Sequence, residues 1–104
     1  MVLFAVTRVL GPSWDALRSI REQDAWEEHA AFMDGLAEDG FVVLAGPIGD
    51  WQRIFLVVDA ASEAEVEAQL AADPWTTMGL LRIGAIEPWT IWLDRSAARG
   101  LVAS

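Results

Sequence analysis

The chain has a single histidine, His29, in a segment whose spacing predicts a helix. At helical periodicity His29 shares one face with the apolar residues Phe32, Met33 and Leu36. Histidine changes charge near neutral pH, so it suits general acid or general base chemistry. A lone histidine on an apolar stripe is either a packed residue at the edge of the core or the reactive group of a pocket.

A second candidate, Asp73, stands in the sequence Ala-Ala-Asp-Pro-Trp at positions 71–75. In one interpretation its carboxylate only forms an Asx turn before the proline. In the other it pairs with His29, because a carboxylate bonded to one ring nitrogen sets the tautomer and raises the basicity of the other nitrogen. A metal site is disfavoured, since only carboxylates could join His29 as ligands.

Four further residues are candidates for contacting a ligand. Arg8 ends an apolar stripe of the first strand and is a snorkelling edge residue, the partner of a nearby carboxylate, or an anchor for an acidic substrate. Gly46 ends the second strand and either allows close approach of a ligand or simply serves the turn. Trp75 and Trp89 flank these regions and are the two tryptophans expected to line a pocket.

Composition excludes several classes of function. The 104 residues carry sixteen acidic side chains and seven arginines, a net charge of −9, which disfavours nucleic acid and anionic membrane surfaces as partners. Lysine and cysteine are absent, which excludes Schiff-base and thiolate chemistry. With 54% hydrophobic residues and no apolar run of membrane-spanning length, we expect one cytoplasmic domain over residues 1–104 without a signal peptide.

Periodicity and turn residues predict the order β-α-β-β-α-β. The expected strands are 2–10, 41–47, 51–59 and 80–87, with a possible short fifth strand at 88–93. Residues 13–23 form a loop or a short helix. The first helix is expected to start at an Asp24 cap and to stop near Gly40, and the second to start at the Ser62–Glu65 capping box and to stop before Pro74. Residues 94–104 are expected to be a loose tail.

This order predicts an α+β, ferredoxin-like fold with a mainly antiparallel four-stranded sheet under two helices. Both helices would cover one face of the sheet and leave the other bare. In so short a chain, the expected cover is a second copy, which predicts a homodimer packed sheet against sheet.

The residues also resemble the YciI-like (YCII-related) family of the dimeric α/β-barrel superfamily. The resemblance rests on the order and spacing of short motifs between residues 2 and 93: the His29 helix, Gly40, Ala45-Gly46-Pro47, Ser62–Glu65, Asp73-Pro74, Gly79-Leu80 and Glu87-Pro88-Trp89. It implies a protomer that dimerises through its sheet and a pocket holding His29 and Asp73. Known activities in the family and its superfamily include removal of chloride from a chlorinated hydroxyhydroquinone, lactone isomerisation and cofactor-free oxygenation of aromatic rings.

Two functional hypotheses follow. The first is a small enzyme without a cofactor or metal, in which His29, oriented by Asp73, moves a proton on a small aromatic or enol-like acid in a lyase or isomerase reaction. The alternative is a non-catalytic module that binds a small ligand or acts through its dimer surface.

Overall fold

The first strand follows the alternation of buried and half-buried positions in its sequence. The structure, a computed structural model, describes residues 2–95 and the backbone of residues 100 and 101. Strand β1 runs over Val2–Leu10 and buries Phe4, Val6 and Arg8 on one face. Because β1 pairs on both sides, it lies in the interior of the sheet, and Arg8 is carried into the protein with its apolar neighbours.

The other three strands complete an antiparallel sheet. Strand β2 spans Val42–Ile48, β3 spans Arg53–Ala60 and β4 spans Leu81–Pro88. The strand order is β2-β3-β1-β4, and each neighbouring pair is antiparallel. The predicted hairpin between β2 and β3 is present, and Gly49 and Trp51 adopt positive φ angles in its turn.

Helix α1 spans Trp26–Glu38, α2 spans Glu63–Ala71, and a single turn of helix, α3, spans Pro74–Thr77. The segment between β1 and α1, for which the sequence left a loop or a short helix open, is a loop that contains one 3₁₀ turn at Ile20–Glu22. The predicted α+β, ferredoxin-like order is confirmed, with α3 added where a turn was expected.

The helix ends agree with the sequence at Gly40 and Ser62 and differ at Asp24. Gly40 has a φ of 84° after α1, and the Ser62 hydroxyl accepts a hydrogen bond from the backbone N–H of Glu65. The predicted Asp24 cap is wrong: the N-cap of α1 is Ala25, which has a φ of 59°, and the helix itself begins at Trp26. The Asp24 carboxylate accepts from Arg18 instead, and its backbone carbonyl accepts from the indole of Trp75.

The two faces of the sheet have different surroundings. The core lies between the sheet and the helices and is built from Phe4, Val6, Leu36, Phe41, Val42, Leu56, Val58, Ala60, Val66 and Leu70. The opposite face is bare in the described chain and exposes large apolar side chains, including Val43, Leu44, Trp89 and Trp92. This face is the one for which the sequence predicts a second copy.

The C-terminal part departs from the predicted fifth strand. Strand β4 continues to Pro88, and a two-residue strand, β5 (Leu93–Asp94), pairs with β6 (Gly100–Leu101). The expectation of a loose tail falls largely on residues 96–99 and 102–104, which lie outside the described residues. No helix in the described ranges is long and apolar enough to cross a membrane.

Candidate active site

The imidazole of His29 and the carboxylate of Asp73 are in direct contact. His29 lies in the first turn of α1, and its Nδ1 is 3.0 Å from Oδ1 and 2.9 Å from Oδ2 of Asp73. Asp73 is the N-cap of α3, where its Oδ1 also accepts from the backbone N–H of Trp75 at 2.9 Å. Asp73 therefore both forms the Asx turn and pairs with His29.

A buried arginine holds the other side of this carboxylate. Nη1 of Arg8 donates to Oδ2 of Asp73 at 2.8 Å, and the two side chains are 1% and 0% exposed. Burial by itself raises the pKa of Asp73, but hydrogen bonds from His29, Arg8 and the Trp75 N–H outweigh it and leave that pKa below its ordinary value. Asp73 is therefore an anion at neutral pH.

The anionic partner determines which nitrogen of His29 carries the proton in the neutral ring. An ionised carboxylate only accepts hydrogen bonds, so Nδ1 must be the donor. Nε2 is then the basic nitrogen, and no group in residues 2–95 hydrogen bonds to it. Because His29 borders a cavity, the free ring edge is available to a ligand.

Arg8 has a second contact and one N–H without a partner. Its Nη2 donates to the hydroxyl oxygen of Thr76 at 2.7 Å, and that hydroxyl donates to the carbonyl of Leu70 at 2.8 Å. The Nε–H of Arg8 is buried and has no hydrogen-bond partner among the described residues. A buried, unpaired donor of a charged group is costly, so it marks a place where a ligand oxygen would be stabilised.

Aromatic rings surround the histidine. Trp75, fully buried, stacks on His29 with ring centroids 3.9 Å apart and planes 4° apart. Trp26 contacts both rings, at 5.9 Å from His29 and 5.8 Å from Trp75, and Trp14 meets Trp75 edge to face at 5.6 Å. The histidine thus sits in a largely apolar wall in which Arg8 and its own ring edge supply the polar groups.

The cavity in front of these residues has a volume of about 220 Å³. It lies between α1, α3 and the helix-facing side of the sheet, and its lining comprises Arg8, Trp14, Ile20, Trp26, His29, Met33, Ala45, Gly46, Pro47, Ile54, Leu56, Trp75 and Leu81. Because a cavity of roughly 150 Å³ accommodates benzene, this one has room for a single ring with small substituents. Within the described residues, no three potential metal ligands of the His, Cys, Asp or Glu type lie together.

The profile of the YCII-related domain family matches residues 12–90, which is most of the chain. The chain belongs to the YCII-related domain family.

One solved structure similar to this YCII-related chain is 5-chloro-2-hydroxyhydroquinone dehydrochlorinase (TftG) from Burkholderia phenoliruptrix AC1100, in complex with 2,5-dihydroxybenzoquinone. The TM-score is 0.60 and the sequence identity is 24%, over 90% of this chain and 97% of that chain. A likeness at this identity establishes a shared fold. A search of functionally curated proteins returns no significant match.

The structure of this YCII-related domain brings together most of the residues predicted from sequence. Arg8, Gly46, Trp75 and His29 border one cavity, with Asp73 directly behind the histidine. A Cβ atom on Gly46 would meet nothing within 4 Å, so the chain itself does not require glycine there.

Trp89 is not brought to this cavity. It follows β4 on the bare face of the sheet, where its backbone N–H donates to the carbonyl of Leu3 and its ring contacts Phe55 at 6.4 Å. The physical reason is strand alternation: Phe55 points to the face opposite that of Ile54 and Leu56, which line the cavity.

Sequence reasoning did not single out Trp14, Trp26 or Thr76. Trp26 stands three residues before His29 and Thr76 three residues after Asp73, so helical spacing could have placed each beside its neighbour. Trp14 has no comparable local signal, because it reaches the cavity from an irregular segment.

Proposed function

We propose that this YCII-related domain is a small enzyme in which His29 transfers a proton to or from a single-ring aromatic or enol-like acid. The observation that carries the proposal is the contact of Nδ1 of His29 with the buried Asp73 carboxylate, which leaves Nε2 as the base at the edge of a cavity. The same device, a carboxylate that orients a histidine, serves general base catalysis in unrelated enzymes.

In the proposed step Nε2 accepts a proton from the substrate, and the ring becomes an imidazolium. The positive charge forms 2.9 Å from the Asp73 carboxylate, which is already ionised and pairs with it without further rearrangement. Loss of an anionic leaving group from the substrate then completes a lyase reaction, whereas return of the proton to another carbon completes an isomerisation.

Arg8 supports an acidic substrate in two ways. Through Nη1 and Nη2 it holds Asp73 and Thr76, so it is a positioning residue for the histidine. Its unpaired Nε–H is the donor that we assign to an anionic oxygen of the substrate, such as a phenolate or an enolate.

The size and lining of the cavity favour a planar ring of the same class as 2,5-dihydroxybenzoquinone, the compound bound in the TftG structure. A volume of about 220 Å³ bounded by three tryptophans suits one aromatic or quinonoid ring. The relative of known structure is a dehydrochlorinase of a chlorinated hydroxyhydroquinone, so elimination of chloride from such a ring is the first reaction to test.

The proposal includes a homodimer formed through the bare sheet face. A surface concavity of about 640 Å³ lies on that face, and its lining includes Leu44, Trp89 and Trp92, all of which are exposed in the single chain. Large contiguous apolar patches of this kind are typical of protein interfaces. The second copy would cover one sheet with the other and leave both His29 cavities on the helix side.

The experiment incubates the full chain in D₂O with 5-chloro-2-hydroxyhydroquinone and with unchlorinated hydroxyquinones and dihydroxybenzenes. Chloride release and exchange of ring hydrogens are followed by NMR. We expect catalysis with at least one compound, and a loss of about 10²–10⁴-fold in His29→Gln. Glu28→Gln, which changes the neighbouring exposed residue of α1, is the matched control and should retain full activity.

A different result would replace the enzyme by a binding module. If a compound binds the wild-type protein but is recovered unchanged, with no exchange of its ring hydrogens, the proton-transfer proposal is wrong. Equal turnover by His29→Gln and wild type would also contradict it.

A further inference from the structure

A second cavity of similar size adjoins the His29 cavity. This second cavity has a volume of about 260 Å³ and is bordered by Leu10, Ser19, Trp51 and Gln52. Three residues line both cavities: Trp14, Ile20 and Ile54. These three residues therefore form the partition between the largely apolar, aromatic cavity at His29 and a more polar cavity lined by exposed residues such as Ser19 and Gln52, the outer cavity.

Trp14 is the largest side chain of the partition, and contacts with neighbouring residues fix its position. Its indole packs edge to face against Trp75, the ring on which His29 stacks. The residues on either side of Pro12 are tied to the segment between α3 and β4, since Gly11 N–H donates to the Leu80 carbonyl at 2.8 Å and Ser13 N–H donates to the Gly79 carbonyl at 3.0 Å.

The segment after Trp14 is held by a buried glutamine. Gln23 is 4% exposed; its Nε2 donates to the carbonyls of Asp15 and Arg18, and its Oε1 accepts from the Asp15 N–H. Both ends of the segment that carries Trp14 and Ile20 are thus anchored, and the partition is preformed rather than assembled around a ligand.

We propose that Trp14 is the residue that limits the ligand to a single ring, by closing the His29 cavity against the outer cavity. This inference rests on the proposed function, because it takes the His29 cavity as the ligand site. Removing the indole would join the two spaces and more than double the room in front of His29. A second fused ring would then extend past Ile20 toward Ser19 and Gln52.

The test is a binding experiment with two ligands that carry the same oxygen atoms, catechol and 2,3-dihydroxynaphthalene, measured by isothermal titration calorimetry. The naphthalene has more apolar surface to bury, so without a steric limit it would bind more tightly. We expect wild type to bind catechol at least tenfold more tightly than the naphthalene, and Trp14→Ala to reverse this preference. Trp14→Leu serves in the same role if circular dichroism shows that Trp14→Ala is not folded.

Trp51→Ala is the matched control. Trp51 is an exposed tryptophan that borders only the outer cavity, so its removal should leave the wild-type preference unchanged. A Trp14 variant that binds catechol but gains no affinity for the naphthalene would overturn the inference, as would failure of wild type to bind either compound. Binding is measured without turnover, so failure of the His29 proton-transfer proposal alone leaves this result intact.

Discussion

The ring of His29 lies parallel to the indole of Trp75, with centroids 3.9 Å apart and an angle of 4° between the planes. Trp75 follows Asp73 by two residues in the same single-turn helix. One short segment therefore fixes the histidine twice: Asp73 bonds to its edge through Nδ1, and Trp75 covers its face. The ring therefore has little freedom to rotate, and a general base must be held in one orientation toward its substrate.

Trp75 should be central to stability as well as to the orientation of His29. Its indole is fully buried and its Nε1–H donates to the Asp24 carbonyl at 2.7 Å. We expect Trp75→Leu to lower the free energy of unfolding by about 3 kcal/mol, since it removes a large buried ring and leaves a carbonyl unpaired. Trp75→Phe retains an aromatic face and should lose roughly half as much. Urea denaturation of both variants measures the difference, and equal losses would argue against a role for the stack.

The lowered pKa of Asp73 predicts an acid-sensitive contribution to stability. Because its pKa in the folded protein lies below the ordinary value of 3.8, folding favours the ionised form. That contribution is fully present above pH 3.8 and is lost as the pH falls from there through the folded pKa. We expect the free energy of unfolding, measured by urea titration from pH 6 downward, to fall in this window in wild type.

Asp73→Asn removes that titration and should flatten the acid limb of the stability curve. It also leaves the Arg8 guanidinium buried without its ion partner, so it should be less stable than wild type at neutral pH. Asp34→Asn, at an exposed position of α1, is the control for loss of one negative charge. A variant at Asp73 with the same pH slope as wild type would show that this carboxylate does not carry the acid dependence.

The bare sheet face predicts a dimer that a single charge should weaken. Leu44 is 68% exposed in the single chain and borders the concavity on that face. We expect sedimentation to give about twice the chain mass of 11.4 kDa for wild type, and Leu44→Glu to shift the protein toward that single mass. Leu17→Glu is the matched control, because Leu17 is 96% exposed in the segment before α1, away from the sheet face. Monomeric wild type would refute the proposed dimer.

Two glycines should respond oppositely to alanine. A Cβ atom on Gly11 would lie 2.2 Å from the carbonyl oxygen of Gly79, which is backbone and cannot move aside cheaply. Gly11→Ala should therefore cost about 1–3 kcal/mol. Gly35 lies within α1 with nothing within 4 Å of the added atom, so Gly35→Ala should stabilise the protein by roughly 0.5–1 kcal/mol. Thermal unfolding of the two variants checks both signs.

The local patterns of the chain were sufficient for the order of the four main strands and the two longer helices. Alternation in β1, the Ser62 cap and Gly40 after α1 are each read from a few neighbouring residues, because they reflect backbone hydrogen bonding and side-chain periodicity. Those patterns left the pairing of His29 with Asp73 as one of two interpretations, and the family resemblance implied a pocket that holds both; the structure places the two side chains in contact.

Local pattern was misleading at Asp24. Asp24 with Glu27 resembles a capping box, yet the N-cap of α1 is Ala25. The Asp24 side chain and backbone bind other groups instead. Its carbonyl accepts from the indole of Trp75, fifty-one residues away, and its carboxylate accepts from Arg18. No propensity of the segment itself contains that information.

By itself, the sequence determined a ferredoxin-like order of strands and helices and a histidine on an apolar helix face. Only the tertiary structure decided that Arg8 bonds to Asp73 across sixty-five residues, that Trp75 stacks on His29, and that Trp14 rather than Trp89 walls the cavity. The reason is that periodicity defines which face a residue takes, whereas the packing of one element on another decides which residues meet there.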